Sequence, residues 1–299
     1  MVNEEHGDFH SGFVALAGRP NVGKSTLVNR ILGRELSIVT PKAQTTRNRI
    51  TAIHSMPHAQ LVLQDIPGIH DPKTPLNRAL VATAVKTLEH ADVILLIVEP
   101  SERVHNEDRT ITDLIKKSGT TSVLAINKID TVKPAALLPV IDAYSKIHEF
   151  SEVIPISALH GGGVPELVDV LVKLLPVGEP LFPEDDVSDL PVRFFVAEIV
   201  REQITKKTGE EVPYKTTVVV ESFQEQEGRI LIHADIHTER DSQKKILVGK
   251  GGKMIKEIGI ASRKKIEEFL ESPVRLELFV KVTPNWTRND RMLREFGYV

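Results

Sequence analysis

The stretch Gly18-Arg19-Pro20-Asn21-Val22-Gly23-Lys24-Ser25 decides the fold, because it matches G-x-x-x-x-G-K-[ST] in full. It lies between a short apolar run at 12–17 and a segment with helical spacing at 25–32. Glycines at such a junction let backbone N–H groups turn onto phosphate oxygens, and the helix N-terminus favours their negative charge. We expect Lys24 to reach the β and γ phosphates and the Ser25 hydroxyl to ligate Mg²⁺. The sequence therefore predicts a P-loop.

Strand-like and helix-like stretches alternate around this loop as far as about residue 175. The predicted strands are 12–17, 61–63, 93–98, 122–126 and 153–156, and the predicted helices are 25–32, 76–90, 111–117, 134–148 and 164–175. Strands that alternate with helices of this length are typical of a mainly parallel α/β sheet. The fold expected for this part of the chain is therefore a P-loop domain built on such a sheet.

The composition changes after residue 175. Prolines at 176, 180, 183 and 191 surround an acidic run at 184–186, which is typical of a linker. We therefore expect a nucleotide-binding domain at 1–176, a linker at 177–191 and a second domain at 192–299. The predicted elements of that domain are helices 192–207, 243–248 and 254–270 and strands 212–223, 229–237 and 274–282. Their order, α-β-β-α-α-β, indicates a smaller α+β domain.

Two loop motifs supply candidate ligands for the metal ion and the γ-phosphate. Asp65-Ile66-Pro67-Gly68 follows the strand at 61–63, so that Asp65 can hold Mg²⁺ through water and Gly68 can donate its N–H to the γ-phosphate. Thr45-Thr46 lies in the loop before the second strand, where a threonine can complete the Mg²⁺ shell while the γ-phosphate is present. Neither motif is specific alone, since a Pro-Gly turn or two β-branched residues entering a strand would give the same letters.

Asn127-Lys128-Ile129-Asp130 favours guanine as the base. A carboxylate at Asp130 accepts two hydrogen bonds from the guanine edge, whereas adenine offers no such donor pair and would leave the carboxylate unpaired. The Lys128 stem can lie along the base, and Asn127 can tie the loops together. A backbone N–H in Ser157-Ala158-Leu159, after the next strand, can meet the guanine carbonyl oxygen. An ATPase remains the alternative at this point.

Composition excludes several other classes of protein. The chain has no cysteine, which removes disulfide scaffolds, thiol nucleophiles and Cys-ligated zinc. The N-terminus lacks a basic and apolar leader, and the apolar run at 93–98 is too short to cross a bilayer, so a cytoplasmic location is expected. The eleven histidines form no metal-binding pattern. The net charge is −3, yet residues 244–265 hold eight basic residues and one acidic residue, a local basic patch.

Together these motifs resemble the guanine-nucleotide-binding proteins of the translation-factor-related class. The segment at 248–256, Val-Gly-Lys-Gly-Gly-Lys-Met-Ile-Lys, resembles the G-x-x-G loop of a KH RNA-binding domain, and the α-β-β-α-α-β order fits the bacterial type II form. A GTPase domain followed by one KH domain is similar to the Era family of bacterial ribosome-assembly GTPases. The resemblance runs from about Phe13 to Val299 and includes Lys-Ala-Gln-Thr-Thr-Arg at 42–47 and Pro-Glu-Asp at 183–185.

The resemblance implies GTP hydrolysis coupled to binding of small-subunit rRNA near its 3′ end, with the small ribosomal subunit as partner. It implies Mg²⁺, GTP and GDP as ligands and peripheral association with the inner membrane, and no stable oligomer is expected. Ile69 stands where Ras-like proteins place a water-orienting glutamine, so another group must orient the water. Asn21 matches the position that helps hold an activating K⁺ in related GTPases. Ile66 replaces a threonine that is common in the family.

The expected site residues follow from these motifs. Lys24, Thr46 and Gly68 are expected to be catalytic, and Ser25, Thr46 and Asp65 to surround the metal. The expected nucleotide-binding residues are Gly18, Arg19, Pro20, Asn21, Val22, Gly23, Lys24, Ser25, Thr26, Asp65, Ile66, Pro67, Gly68, Ile69, Asn127, Lys128, Ile129, Asp130, Ser157, Ala158 and Leu159. The expected RNA-binding residues are Val248, Gly249, Lys250, Gly251, Gly252, Lys253 and Lys256.

Three alternatives remain open from the sequence. The protein is either a hydrolysing GTPase or an RNA-binding scaffold whose nucleotide site no longer hydrolyses. The residues lining a base-binding groove are expected among Ile232, Ile246, Val248, Ile255 and Ile258, although helical spacing favours the core for the last two. Trp286 either stacks on a base or anchors the fold, and the second is favoured.

Overall fold

The structure, a computed structural model, describes residues 8–40, 42, 46–68, 74–101 and 103–298. Contacts between these residues divide the chain into two compact units. The first contains the described residues up to 37, between 46 and 72, and from 80 to 189. The second runs from 190 to 298 and includes the described residues of 38–45 and 73–79.

The first unit is built on a six-stranded sheet in the order β2-β3-β1-β4-β5-β6. Its strands are β1 (His10–Ala17), β2 (Ile50–Met56), β3 (Ala59–Asp65), β4 (Val93–Val98), β5 (Thr121–Ile126) and β6 (Glu152–Pro155). Every neighbouring pair is parallel except β2 with β3, which is antiparallel. The expected mainly parallel sheet is therefore confirmed. All six residues of β4 are buried, since a central strand covered on both faces needs apolar side chains on both.

Five helices flank this sheet: α1 (Lys24–Leu32), α2 (Pro75–Glu89), α3 (Asn106–Ser118), α4 (Leu137–Ser145) and α5 (Val164–Leu174). The α3 helix begins five residues before the predicted start, because its first turn is polar and shows no apolar period. The predicted helix at 134–148 is shorter, since 134–136 form a 3₁₀ turn and the helix ends at Ser145. These helices cover a core that includes Ile66, Leu88 and Tyr144, which are at most 2% exposed.

The proline-rich segment is hydrogen-bonded along the first unit. The Gln60 amide accepts from the N–H groups of Leu181 and Phe182 at 2.8 and 2.9 Å and donates to the Phe182 carbonyl at 2.9 Å. At the near end, Ser11 N–H donates to the Pro176 carbonyl at 3.1 Å. At the far end, Ser188 Oγ donates to the Thr51 carbonyl at 2.5 Å. These residues therefore form an ordered strap on β1, β2 and β3.

The second unit has a three-stranded sheet in the order β7-β8-β9. Its elements are α6 (Val192–Lys207), β7 (Thr216–Gln226), β8 (Arg229–Thr238), α7 (Asp241–Val248), α8 (Lys253–Leu270), β9 (Val274–Val282) and α9 (Asp290–Glu295). The β7–β8 pair is antiparallel and β8–β9 is parallel. The α-β-β-α-α-β order is confirmed.

Two details of the second unit differ from the predicted elements. The strand predicted at 212–223 begins only at Thr216, after a 3₁₀ turn that contains Pro213. The α9 helix was not predicted, because its six residues are too few to show a period. Trp286, just before it, is fully buried and donates its ring N–H to the Lys215 carbonyl at 3.0 Å. It therefore anchors the fold.

Candidate nucleotide and RNA sites

The P-loop follows β1 and opens α1, as the sequence predicts. Gly18 and Gly23 have φ of 149° and 105°, in the range that favours glycine. A Cβ on Gly18 would lie 2.5 Å from the Ile97 carbonyl oxygen, and one on Gly23 would lie 2.2 Å from Asn127 Nδ2. Val22 is fully buried and Thr26 is half-buried in the first turn of α1. The backbone is therefore held in a cradle that side chains at these two glycines would fill.

Lys24 lies under this cradle with 6% of its surface exposed. Its ammonium donates to the carbonyl oxygens of Gly18 and Arg19 at 2.9 and 3.0 Å. Burial lowers the pKa of Lys24 to about 8, against the opposing effects of Asp65 and Asp108. A buried ammonium that satisfies itself on loop carbonyls is ready to transfer its hydrogen bonds to phosphate oxygens.

Ser25, Thr46 and Asp65 converge beside Lys24. Ser25 Oγ donates to Asp65 Oδ2 at 2.7 Å and lies 3.1 Å from Thr46 Oγ1, which is 3.5 Å from the same carboxylate oxygen. Asp65 is fully buried, and its Oδ1 has no hydrogen-bond partner among the described residues. Burial raises the pKa of this carboxyl. A buried carboxylate with a spare oxygen beside two hydroxyls is the all-oxygen donor set that suits Mg²⁺, so these residues fit the ion.

The rest of the D-x-x-G motif has two different environments. Ile66 is fully buried in the core of the first unit and Pro67 is also buried, so both support the loop from below. Gly68 lies against the P-loop, where a Cβ would come within 2.9 Å of Pro20. Thr45 and Ile69, both predicted to act at the site, lie outside the described residues.

Asn127 joins the two nucleotide loops. It is 2% exposed, its amide donates to the Val22 carbonyl at 2.7 Å, and its Oδ1 accepts from the Ala158 N–H at 2.9 Å. Lys128, with φ of 65°, sends its ammonium to the Asn21 carbonyl at 2.9 Å and to Glu99. Asn127 and Lys128 therefore both hydrogen-bond to the P-loop, and Asn127 also bonds the loop after β6.

The carboxylate of Asp130 is held by the loop after β6. Ser157 Oγ donates to Asp130 Oδ1 at 2.5 Å, and this hydrogen bond holds the pKa of Asp130 below its ordinary value. The neighbouring Ile129 N–H donates to the Ile156 carbonyl at 3.2 Å, which joins the two loops again. Leu159 is 61% exposed at the tip of its loop. An ionised, oriented carboxylate beside this loop is suited to a base with two adjacent donors.

Three residues that support the P-loop were missed from the sequence. Arg19 Nε donates to both carboxylate oxygens of Asp108, at 3.1 and 3.0 Å, and Tyr144 Oη donates to Asp108 Oδ2 at 2.8 Å. Burial and the Asp108 charge raise the pKa of Tyr144, so its hydroxyl stays a donor. Glu99 lies 3.8 Å from Arg19 Nη2. Asp108 lies three positions before Ile111 and seven before Ile115, on the buried face of α3. A carboxylate at helical spacing with buried isoleucines was the sequence signal that could have identified it as a buried residue.

The G-x-x-G segment forms a tight turn between α7 and α8. Gly249, Gly251 and Gly252 have φ of 72°, 60° and 77°, and a Cβ on Gly249 would lie 2.7 Å from Met254 Cβ. A Cβ on either of the other two would meet no atom within 4 Å, so their backbone faces open space. A sugar-phosphate chain can approach such a backbone closely.

Three exposed lysines surround this turn: Lys250, Lys253 and Lys256. Among described residues none of them forms an ion pair, and Lys253 begins α8. Val248 is half-buried at the end of α7. The basic residues expected to bind RNA are therefore brought together around one loop.

The isoleucines considered for a base-binding groove divide between core and surface. Ile232 and Ile258 are 2% and 0% exposed and belong to the core of the second unit. Ile255 packs against that core and Ile246 is 50% exposed. Helical spacing therefore indicated the core correctly for Ile258.

Among the described residues, Glu221, Asp235 and His237 of the second unit have their carboxylate and imidazole atoms within 4.8 Å of one another, a spacing that metal ligands also show. Asp235 is ion-paired with Lys281 there. The lysine already neutralises the buried carboxylate, so the arrangement is explained without a metal.

Two family models match separate parts of the chain. Residues 13–128 match the family model described as 50S ribosome-binding GTPase, and residues 211–287 match the KH domain model. The chain is 51% identical over 292 residues to GTPase Era of Syntrophus aciditrophicus, covering 97% of this chain and 95% of that protein. It is 50% identical to GTPase Era of Geotalea uraniireducens, with 97% and 98% covered.

Two solved structures are similar over almost the whole chain. One is a single-residue variant of Aquifex aeolicus Era bound to GDP·AlF₄⁻, with a TM-score of 0.94 at 42% identity, covering 97% of this chain and all of that chain. The other is Era in complex with MgGDPNP and nucleotides 1506–1542 of 16S ribosomal RNA, with a TM-score of 0.94 at 43% identity and 97% and 99% covered.

The fold and the nucleotide site define a P-loop GTPase that carries a KH domain. Full-length identity near 50% then identifies the family, and the chain belongs to the GTPase Era family. The sequence-based expectations of family, fold class and GTPase activity are therefore confirmed.

Proposed function

We propose that this chain hydrolyses GTP to GDP and phosphate and that this reaction controls its binding to small-subunit rRNA near the 3′ end. The convergence of Ser25, Thr46 and Asp65 beside buried Lys24 supports hydrolysis more than any other observation. A site kept only for structure has no need of a buried ammonium and a buried carboxylate with a spare oxygen.

Each residue has a proposed role. Lys24 stabilises charge that develops on the phosphate oxygens, and the Gly68 N–H donates to the γ-phosphate. Ser25, Thr46 and Asp65 are the residues that would hold Mg²⁺, and the ion would neutralise phosphate charge when bound. When the γ-phosphate is lost, Thr46 no longer holds the ion, and the loop that contains Thr46 is freed. Release of phosphate from GTP, measured with wild type and Lys24→Ala, separates this proposal from a non-hydrolysing scaffold.

The base is proposed to be guanine, read by Asp130 and the loop at 157–159. Asp130→Asn replaces one acceptor oxygen with a donor, so the variant should prefer xanthine, whose 2-oxo group accepts. We expect GDP affinity to fall by at least about a hundredfold while xanthosine diphosphate binding improves. Competition of labelled GTP by ATP tests the ATPase alternative in the same assay.

We propose that hydrolysis is activated by K⁺ held near Asn21. Asn21 is exposed in the P-loop with φ of 66°, and its carbonyl accepts from Lys128. Turnover should be faster in potassium than in sodium buffer at equal ionic strength. Equal rates in the two buffers would remove the ion from the mechanism.

The second unit is proposed to bind an unpaired RNA segment through the turn at 249–252. A similar protein is bound to nucleotides 1506–1542 of 16S rRNA, which supports this class of ligand and the small ribosomal subunit as partner. Three exposed lysines around an open glycine turn supply the phosphate contacts.

The decisive experiment is GTP turnover with and without a short single-stranded oligonucleotide of the rRNA 3′ end. We expect the oligonucleotide to raise turnover, and we expect Lys250→Ala with Lys253→Ala to remove that increase. The same double variant should make the negative slope of log affinity against log salt shallower by about 1.4, or ~0.7 per lysine. The matched control is Lys264→Ala, an exposed lysine on α8 that pairs with Glu268. Unchanged RNA binding in the double variant would refute the proposed surface.

Three further expectations are retained as proposals. The domain boundaries are 1–176, 177–191 and 192–299. The second expectation is that the chain resides in the cytoplasm and contacts the inner membrane peripherally. Within the described part of the chain, no helix has the length and apolarity needed to cross a bilayer. Cell fractionation with a high-salt wash, which removes a peripheral protein from membranes, tests the second of these. The third is that the protein forms no stable oligomer.

A further inference from the structure

Arg30, in the last turn of α1, reaches the loop that follows β6. Its Nε donates to the Ala158 carbonyl at 3.2 Å, and its Nη2 donates to the Leu159 carbonyl. Arg30 and Ala158 are 128 residues apart in the chain. A guanidinium presents parallel N–H donors in one plane, so it can hold two successive carbonyls where an ammonium would hold one.

The loop at 157–162 is closed at its base by its own backbone. Ser157 N–H donates to the Gly162 carbonyl at 2.8 Å, and Gly161 N–H donates to the Ser157 carbonyl at 2.7 Å. Gly161 has φ of 88°, and its α-carbon faces the Arg30 side chain, since a Cβ there would lie 3.8 Å from Arg30 Cδ. The arginine stem therefore lies across the turn of the loop.

The tip of this loop is held from two sides. Asn127 accepts the Ala158 N–H at 2.9 Å, while Arg30 holds the Ala158 carbonyl. The C=O and N–H of one trans peptide point in opposite directions, so fixing the Ala158 carbonyl on Arg30 turns the Leu159 N–H away from Arg30. Ser157 Oγ, on the same loop, is bonded to Asp130. Arg30 thus fixes the direction of the Leu159 N–H next to the proposed base site.

We infer that Arg30 is a positioning residue for base specificity, which holds the 158–159 peptide so that the Leu159 N–H meets the guanine O6. This inference rests on the proposed guanine site. It predicts that loss of Arg30 weakens only those nucleotides that carry an oxygen acceptor at position 6.

The test compares three diphosphates by calorimetry on the full chain. GDP carries both O6 and the 2-amino group, inosine diphosphate keeps O6 without the amine, and 6-thio-GDP keeps the amine with a weak acceptor at position 6. For Arg30→Ala we expect affinity for GDP and for inosine diphosphate to fall equally, by about tenfold. Affinity for 6-thio-GDP should fall less than about twofold. The affinity of Arg30→Lys for GDP and for inosine diphosphate should lie between the affinities of wild type and of Arg30→Ala.

The matched control is Arg34→Ala, which removes an exposed positive charge just beyond the same end of α1. It should leave all three affinities unchanged. An equal loss for all three nucleotides in Arg30→Ala would mean a general structural role, and no loss for GDP would mean no role; either overturns the inference. If wild type itself fails to distinguish GDP from 6-thio-GDP, the proposed contact to O6 is wrong, which is a separate result.

Discussion

Asn127 Nδ2 donates to the carbonyl oxygen of Val22 at 2.7 Å, although 105 residues separate the two in sequence. The other atom of the same amide, Oδ1, accepts from the Ala158 N–H. The side chain is 2% exposed, so both hydrogen bonds lie away from water. One amide therefore joins the P-loop to the loop that is proposed to face the base.

Asn127→Ala should weaken nucleotide binding by about a hundredfold, because it leaves a buried carbonyl and a buried N–H without partners. Calorimetry with GDP gives the affinity, and urea unfolding gives the free energy of unfolding. Asn127→Asp keeps the acceptor for the Ala158 N–H and loses the donor to the Val22 carbonyl. This variant should also bind GDP more weakly than wild type, because the buried Val22 carbonyl then lacks a partner. A GDP affinity within about threefold of wild type in the alanine variant would contradict this role.

The lowered pKa of Lys24 predicts proton uptake on nucleotide binding. With a pKa of about 8, the free protein holds Lys24 mostly neutral at about pH 8.5, whereas phosphate charge restores the ammonium in the complex. Binding at that pH should therefore take up about 0.8 proton and weaken as pH rises further. Calorimetry in two buffers of different ionisation enthalpy measures this number. Lys24→Arg, whose guanidinium stays charged, is the control, and equal uptake in both proteins would contradict the assignment.

The same shift has the opposite consequence for the stability of the free protein. Between pH 8 and the ordinary value of 10.5, the unfolded chain binds a proton at Lys24 that the folded chain does not. The contribution of Lys24 to the free energy of unfolding therefore rises with pH across this window. Affinity for nucleotide and stability without nucleotide should move in opposite directions there.

Asp108 should be important for stability and for the P-loop together. Asp108→Ala leaves the Arg19 guanidinium without its carboxylate, at a cost of about 2–4 kcal/mol in the free energy of unfolding. Tyr144→Phe removes one hydrogen bond to the same carboxylate and should cost about 1–2 kcal/mol. Urea unfolding of both variants and of the double variant measures the coupling. Full additivity would show that Asp108 and Tyr144 are not coupled through their hydrogen bond.

The sequence predicted those parts of the molecule that depend on local pattern. The P-loop of 18–25 and the motif at 127–130 each lie where a strand ends, so their letters and positions agree with the fold. The fully apolar β4 was recognisable as a central strand. Elements with polar first turns, such as α3, or with very few residues, such as α9, were misplaced or missed because their patterns are too short to show a period.

Long-range partners could not be predicted, because pairing across the fold leaves no trace in local spacing. Arg30 and Asp108 show this for the candidate site: each reads as an ordinary helix residue, and only the fold brings it to a nucleotide loop. Glu99 reads as the end of an apolar strand, yet it meets both Arg19 and Lys128. Ile232 shows the reverse, since an apolar residue considered for a groove is part of the core.

The role of Gln60 could not be predicted from the sequence either, since it is one polar residue in the buried strand β3. It is 1% exposed, and its amide bonds Leu181 and Phe182 of the strap as well as Ser55. Replacing it with alanine leaves two backbone N–H groups and one carbonyl without these partners. The strap should then detach from β3 more readily than any helix of the first unit unfolds.

Gln60→Ala should therefore speed proteolysis within 177–189 and lower the free energy of unfolding by about 2–4 kcal/mol. Limited trypsin digestion is unsuitable because 177–189 holds no lysine or arginine, whereas a Glu-specific protease can cut after Glu184, since Glu179 is protected by the proline that follows it. Gln60→Glu is the matched variant, since it keeps the acceptor oxygens for the two N–H groups and loses the donor. It should be cut at an intermediate rate. If both variants are cut no faster than wild type, the strap is held by its ends at Ser11 and Ser188 and the Gln60 amide contributes little.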